Sequence, residues 1–423
     1  MQLSHHPGLN IFRAAIALLA IIPLLNACSD EGGPTQLSEI PKTTKQTAPS
    51  SFERLNPALN IAGQAIAVDY LGQISTDFSQ LRVTIGQLQS SIHTFISETT
   101  NENLDLARQA WLAAHSGYEL TTLDRYFAIQ VLNEAKGLEL LQLQYQINHW
   151  PIIPGYIDYV DGYPDSGIVH DINVALNQET LRQQHGAFDV SEVALGFHVI
   201  EFLLWGAPKD SGTRPTDDYE AIEELSQAEA ENGYTLDQLG NNRRRVLLSI
   251  TADTLLEDFG KLEALWVEQQ PQIRQSIESS SGSEVIVILA DSMVAMLTEE
   301  LLLRSLYPML NGNYSEGIQS PYSQSTQNAV SIQLSGLERL LLEQQTENGT
   351  TLDLVFAAIS DEFSEFFYQN FDASKSCLVL LYTNADREVA SASNQNEIEV
   401  VECINLLTNM VDHIERLKFE LID

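Results

Sequence analysis

Apolar positions recur at intervals of three and four along most of this chain. From Val68 onward, Leu71, Ile74, Phe78, Leu81, Ile85, Leu88, Ile92 and Phe95 make a continuous stripe, the signature of an amphipathic helix with one buried face. The segment "NLDLARQAWLAAHSGYELTTLDRYFAIQ" repeats the pattern over several turns. It returns in "RRVLLSITADTLLEDFGKLEALWVEQQP" from Arg244; that helix is expected to close at Pro271, because proline has no N–H for the helical ladder. "EVIVILADSMVAMLTEELLLRSLYPML" predicts another helix, ending near Pro308. Two more are predicted in the tail, from about Leu352 to Ala390 and from about Ile398 to Leu421. Period-two alternation is scarce, so strands are not expected. Long helices joined by short loops pack as bundles. The predicted fold is therefore all-α, with two helical-bundle-like domains packed side by side.

Three irregular stretches punctuate the helices. "HWPIIPGYIDYVDGYPDSGIVHDI" carries Trp150, Tyr156, Tyr159 and Tyr163, aromatic rings that need burial, so it reads as a structured loop. "GNYSEGIQSPYSQSTQ" joins the helix around Leu301 to one starting near Val330. "APKDSGTRPTDDYE" is the best candidate for a boundary between bundles. It divides the chain into an N-terminal bundle over 56–207 and a C-terminal bundle over 215–423.

The first residues read differently. His5, His6 and Arg13 precede an apolar run from Ala14 to Leu25, too short for a transmembrane helix and typical of a signal-peptide core. It ends in "LLNACSD", which resembles a bacterial lipobox with Cys28 as the modified residue. Residues 1–27 are thus expected to be removed as a lipoprotein signal peptide. Acyl chains on Cys28 would anchor the protein to a membrane. Ser29 after the cysteine, by analogy, points to the outer membrane with the protein facing the periplasm. Residues 28–55, rich in Ser, Thr, Pro and Gly, read as a flexible tether.

A formal charge of −36 argues against nucleic acid as a partner, and it is compatible with attracting cations. In an oxidising compartment the two remaining cysteines, Cys377 and Cys403, invite a disulfide across the tail hairpin. Two buried free thiols are the other reading.

The chemistry concentrates in "GFHVIEFLLWG", residues Gly196 to Gly206. On a helix His198 and Glu201 share one face, and Trp205 continues it. The surrounding residues are apolar, so the carboxylate must be paired, protonated or bound to a cation. Gly196 permits close approach of a backbone or ligand near His198. A histidine and a carboxylate at this spacing supply two metal ligands, and a zinc or iron centre needs at least one more. Asp158, in the aromatic loop, is the first choice for that third group, with capping or bonding of loop amides as its equal alternative. Glu119, four residues after His115, is the next, although a plain polar pair between helices also accounts for those two. Ser320 and Ser323 are candidates to line the site. The zinc-peptidase motif H-E-x-x-H is absent, and its inverted form would need His where Phe202 stands. A buried His–Glu hydrogen bond, a metal site and acid–base catalysis all remain open from these residues alone.

The stretch closely resembles the G-x-H-x-x-E motif of the imelysin-like proteins, an exported bacterial family. "ARQAWLAAHSGYE", "INHWPIIPGYIDYV", "RRRVLLSITADTLLEDFGKLEALW" and "SEGIQSPYSQST" resemble further family segments in the same order, so the resemblance covers most of residues 56–420. It implies an all-helical protein of two bundles with a site around the histidine and glutamate near their junction. It also implies a role in iron uptake alongside other components of such a system, with a bound metal, iron or zinc, or a metal-linked ligand. The family's classification among metallopeptidases supplies a rival reading, in which the same site cleaves peptides. A partner-binding scaffold with a purely structural His–Glu pair is the third. Two positions depart from the family's early helix, His115 and Thr122, where relatives carry Arg and Glu. A third departure is Gln324, where an Asp is common.

Overall fold

The computed structural model describes residues 57–207, 214–342, 351–387 and 394–422. The predicted signal peptide, the tether and Cys28 lie outside the described residues. So does the central part of the predicted boundary, residues 208–213.

All the long described elements are helical. They are α1 (Pro57–Ser97), α2 (Asn101–Leu120), α3 (Thr122–Val131), α4 (Glu134–Asn148), α5 (Phe197–Trp205), α6 (Gly240–Ser279), α7 (Gly282–Met296), α8 (Thr326–Leu342), α9 (Leu352–Ile359), α10 (Asp361–Arg387) and α11 (Asn394–Ile422). The stripe that predicted α1 is buried from Leu71 to Phe95. Each such side chain contributes on the order of 2 kcal/mol by leaving water. That face packs along α6 and α2, where Phe78 meets Phe259 and Trp266 edge-on, both at 6.1 Å. Further along, α1 also packs on α7.

Two boundaries differ from expectation. First, α6 does not close at Pro271 but runs through it to Ser279. The missing N–H would have paired with the carbonyl of Val267, a residue 58 % exposed whose carbonyl water can serve. Beyond the proline, Ile273 and Ile277 continue the buried stripe. Second, the helix around Leu301 changes character. Residues Leu297–Leu306 form a π-helical segment that continues α7 and runs into a short α-turn, Tyr307–Leu310.

Packing does not follow chain order. α6 lies on α1, α4 and α5, whereas α3 lies on α7. α8 bridges α2 and α10, and α11 packs on α7 and the π segment. In the tail hairpin the Sγ atoms of Cys377 and Cys403 are bonded, with Cα atoms 5.6 Å apart. Among the described residues no helix is long and apolar enough to cross a membrane.

Candidate functional site

α5 sits inside the protein, with Phe197 through Leu204 all buried. Gly196 starts it with φ at +98°, and a Cβ there would stand 2.6 Å from the carbonyl oxygens of Gln146 and Ile147. Glycine is therefore required for the end of α4 to meet the start of α5. The helix is anchored from other elements. The Trp111 indole donates to the Phe197 carbonyl at 2.8 Å. At the other end the Arg108 guanidinium donates to the Leu204 carbonyl at 2.9 and 3.2 Å, a favourable place for a cation.

His198 and Glu201 meet on this helix, with Nδ1 2.8 Å from Oε2. The other carboxylate oxygen, Oε1, accepts from the Tyr322 amide at 3.1 Å and from the Ser323 amide and hydroxyl, both at 2.7 Å. Gln324 follows with φ at +55°, a left-handed turn. Burial pushes Glu201 up to about 7 even against the Ser323 amide and hydroxyl, which favour the carboxylate. Burial, reinforced by neighbouring His115, holds the His198 imidazole well below its ordinary value. The ring is thus neutral. With Nδ1 engaged by Glu201, its buried Nε2 has no hydrogen-bond partner in the chain.

His115 is the nearest second imidazole, its ring 5.2 Å from that of His198. Trp111 stacks on it at 4.6 Å. Its Nε2 stands 3.2 Å from Glu119 Oε1, off the line of a good hydrogen bond. Glu119 accepts from Asn148 and Gln319 at 2.8 Å and from Gln333 at 2.6 Å. Burial pushes its carboxyl up, but His115, Arg125 and Gln333 outweigh that and hold it at about 2. Glu119 is therefore a charged hub joining α2, α4, α8 and the loop before α8. That loop supplies both carboxylates: Gln319 serves Glu119, and Ser323 serves Glu201.

The structure brings together His198, Glu201, Ser323, His115 and Glu119. Ser320 is fully buried in the same loop with its hydroxyl unpartnered. Trp205 packs edge-on against Trp111 at 5.4 Å. Asp158, expected as the third ligand, is committed elsewhere. Its carboxylate takes Arg214 at 2.5 Å, Arg244 at 2.5 and 3.0 Å, and His170 at 3.3 Å. Burial opposes its ionisation, but Arg214, His170 and Arg244 hold it well below the usual carboxylate range. A carboxylate so neutralised has no lone pair to offer a metal. The signal for this lay in the run Arg243–Arg245, three cations in a chain poor in them, of which Arg243 and Arg244 are buried.

Sequence reading also passed over Asn148, Gln319 and Gln333, the neutral amides that sustain Glu119. Among the described residues, no three His, Cys, Asp or Glu side chains are clustered to hold a metal ion by themselves. The buried Nε2 of His198 is a nitrogen donor left without a partner, and a single such donor does not by itself make a metal site.

A model of the imelysin peptidase family matches residues 74–409. A solved structure described as an iron-regulated protein A precursor, from Parabacteroides distasonis, is similar over 88 % of this chain and 97 % of its own. The TM-score is 0.63 at 12 % identity, a likeness of fold. No curated protein matches the chain.

Proposed function

The chain belongs to the imelysin family, and on that footing we propose that it binds a metal-linked ligand, iron foremost, through His198 in the service of iron acquisition. One observation carries this reading: the buried Nε2 of His198 has no partner while Nδ1 is held by Glu201. When Glu201 is ionised it accepts from Nδ1–H and leaves the Nε2 lone pair free; carboxylate contacts of this kind orient metal-ligating histidines and raise their basicity. Glu201 is then the orienting group and His198 the ligand, while His115 Nε2 faces Glu119 at 3.2 Å. The iron-regulated description of the similar structure favours iron over zinc. In this reading a lipid on Cys28 holds the protein at the periplasmic face of an outer membrane, beside other iron-uptake components.

A peptidase reading needs Glu201 as a general base, and its two oxygens already take four contacts. Binding is the better supported role. The test is a titration of purified protein with iron(II), iron(III) hydroxamate and zinc. Micromolar binding of at least one is expected, weakened tenfold or more by His198→Ala and ten- to a hundredfold by Glu201→Gln. Binding indifferent to both substitutions would sink the proposal.

A further inference from the structure

α8 is held by polar groups on either side of a close backbone contact. At Gly336 a Cβ would stand 2.6 Å from the carbonyl oxygen of Leu120, so the helix lies directly against the corner between α2 and α3. About one turn before that point, Gln333 donates to Glu119 at 2.6 Å. About one turn after it, the Arg339 guanidinium takes both oxygens of Asp77 on α1, at 2.5 and 3.2 Å. At this second anchor the charges do not balance.

Asp124 of α3 is the second carboxylate there, and both it and Asp77 are buried. Tyr70 of α1 donates to Asp124 Oδ1 at 2.7 Å and meets Phe127 of α3 edge-on at 5.2 Å. Asp124 Oδ2 is buried with no hydrogen-bond partner. Arg125, the next residue, spends its terminal nitrogens on the Tyr118 carbonyl and the hydroxyls of Thr121 and Thr122. The other elements packed on α3 bring charges already engaged elsewhere. On α7, Glu284 accepts from Ser281 and Asp291 pairs with Lys418. On α4, Lys136 pairs with Glu139. On α2, His115 faces Glu119.

Among the described residues, two buried carboxylates thus depend on the single guanidinium of Arg339, which is bonded to Asp77. A buried carboxylate without a cation is costly to ionise, the more so beside a second one. Burial first, and Asp77 next, push the Asp124 carboxyl up to about 7, against the Tyr70 hydroxyl, Arg339 and Arg125.

We propose that Asp124 is a proton-binding site that closes the junction of α1, α3 and α8, so that the docking of α8 follows pH. With the proton in place, Asp77 and Arg339 form a neutral pair and Asp124 is an uncharged acid bonded to Tyr70. When the proton leaves, the junction carries one negative charge in excess, and water must enter to solvate it. The loosening is felt along α8, which carries Arg339 and, about 9 Å away along its axis, Gln333. The hold of Gln333 on Glu119 is therefore weaker at higher pH. The device is independent of metal binding at His198.

The experiment is urea unfolding of wild type and Asp124→Asn at pH 5 and pH 8. A carboxyl raised from 3.8 to about 7 stabilises the fold fully below 3.8, and that contribution is lost as pH rises to about 7. The unfolding constant of wild type divided by that of Asp124→Asn is expected to rise at least tenfold between the two pH values. Glu201 titrates in both proteins and cancels from the ratio. Asp77→Asn approaches the same cluster from its other member, whether or not Asp124→Asn folds; it frees Arg339 for Asp124 and is expected to cut the pH dependence of wild type severalfold. Hydrogen exchange at pH 6 and pH 8, corrected for intrinsic rate, is expected to show residues 333–339 losing protection at least fivefold in wild type and keeping it in Asp124→Asn. Three results overturn the proposal: a ratio flat with pH, as for an Asp124 ionised throughout; a pH dependence untouched by Asp77→Asn; or protection in α8 that follows pH equally in wild type and Asp124→Asn.

Discussion

Glu201 is a carboxylate that the fold buries without a permanent cation. Its pKa stands at about 7 in the folded protein, against 4.5 for an unperturbed glutamate. Folding favours its protonated form, so its stabilising contribution is full below pH 4.5 and is lost as pH rises through 7. Over that window the loss is roughly 3 kcal/mol. His198 works in the opposite sense: its lowered pKa gives a contribution present above 6.5 and lost as pH falls. Comparison of wild type with Glu201→Gln separates the two. Urea unfolding at pH 5 and pH 7.5 is expected to show the Gln variant gaining on wild type at the higher pH. Parallel behaviour of the two proteins would show that Glu201 stays ionised throughout. The pair itself was legible in sequence, because two polar groups in an apolar helix demand an account. Its protonation was not, because burial raises the carboxyl against the opposing contacts of Ser323 and Tyr322, more than a hundred positions away in the chain.

At the level of elements, the site depends on α5 touching the end of α4. Gly196→Ala puts a methyl group 2.6 Å from two carbonyl oxygens at a φ of +98°. The expected cost is about 2–4 kcal/mol, read as a lowered urea midpoint, and on the proposed function metal binding weakens as His198 shifts. A variant as stable as wild type would mean that α4 and α5 can separate freely. The glycine's importance was readable from the motif. Its partner, the end of α4, was not, since nothing in "QLQYQIN" announces a contact with α5. Asp158 misled for a related reason. Its short-range setting among tyrosines left a ligand and a loop-amide acceptor both open, and the guanidinium groups that claim it arrive from positions 214 and 244. Helix periodicity located most elements well, because a buried stripe is a local pattern. It failed at Pro271, where exposure of one carbonyl made a proline tolerable.

Across the whole molecule, one covalent link ties the last two helices together. The disulfide joins residues 26 apart in sequence, and closing a loop of that length stabilises by about 3 kcal/mol in the chain-entropy account. A Cys377→Ser/Cys403→Ser double variant is expected to unfold at correspondingly lower urea, whereas reductant leaves the double variant unaffected. A wild type insensitive to reductant and equal to the variant would show that packing of α11 on α7 suffices alone. All-helical architecture was plain from the hydrophobic pattern. The order in which helices pack was not, because α6 and α8 each serve partners far from their place in the chain.

The loop before α8 reaches both carboxylates, through Gln319 to Glu119 and through Ser323 to Glu201. The imidazoles therefore come from the first half of the chain and part of what aims them from the second. A chain that has folded only as far as α5 has its histidines but lacks those contacts from the loop. Completion of the hydrogen bonds around Glu201 thus reports that the distant half has arrived. On the proposed function, competence to bind is a property of the finished protein, withheld from its partly folded precursors.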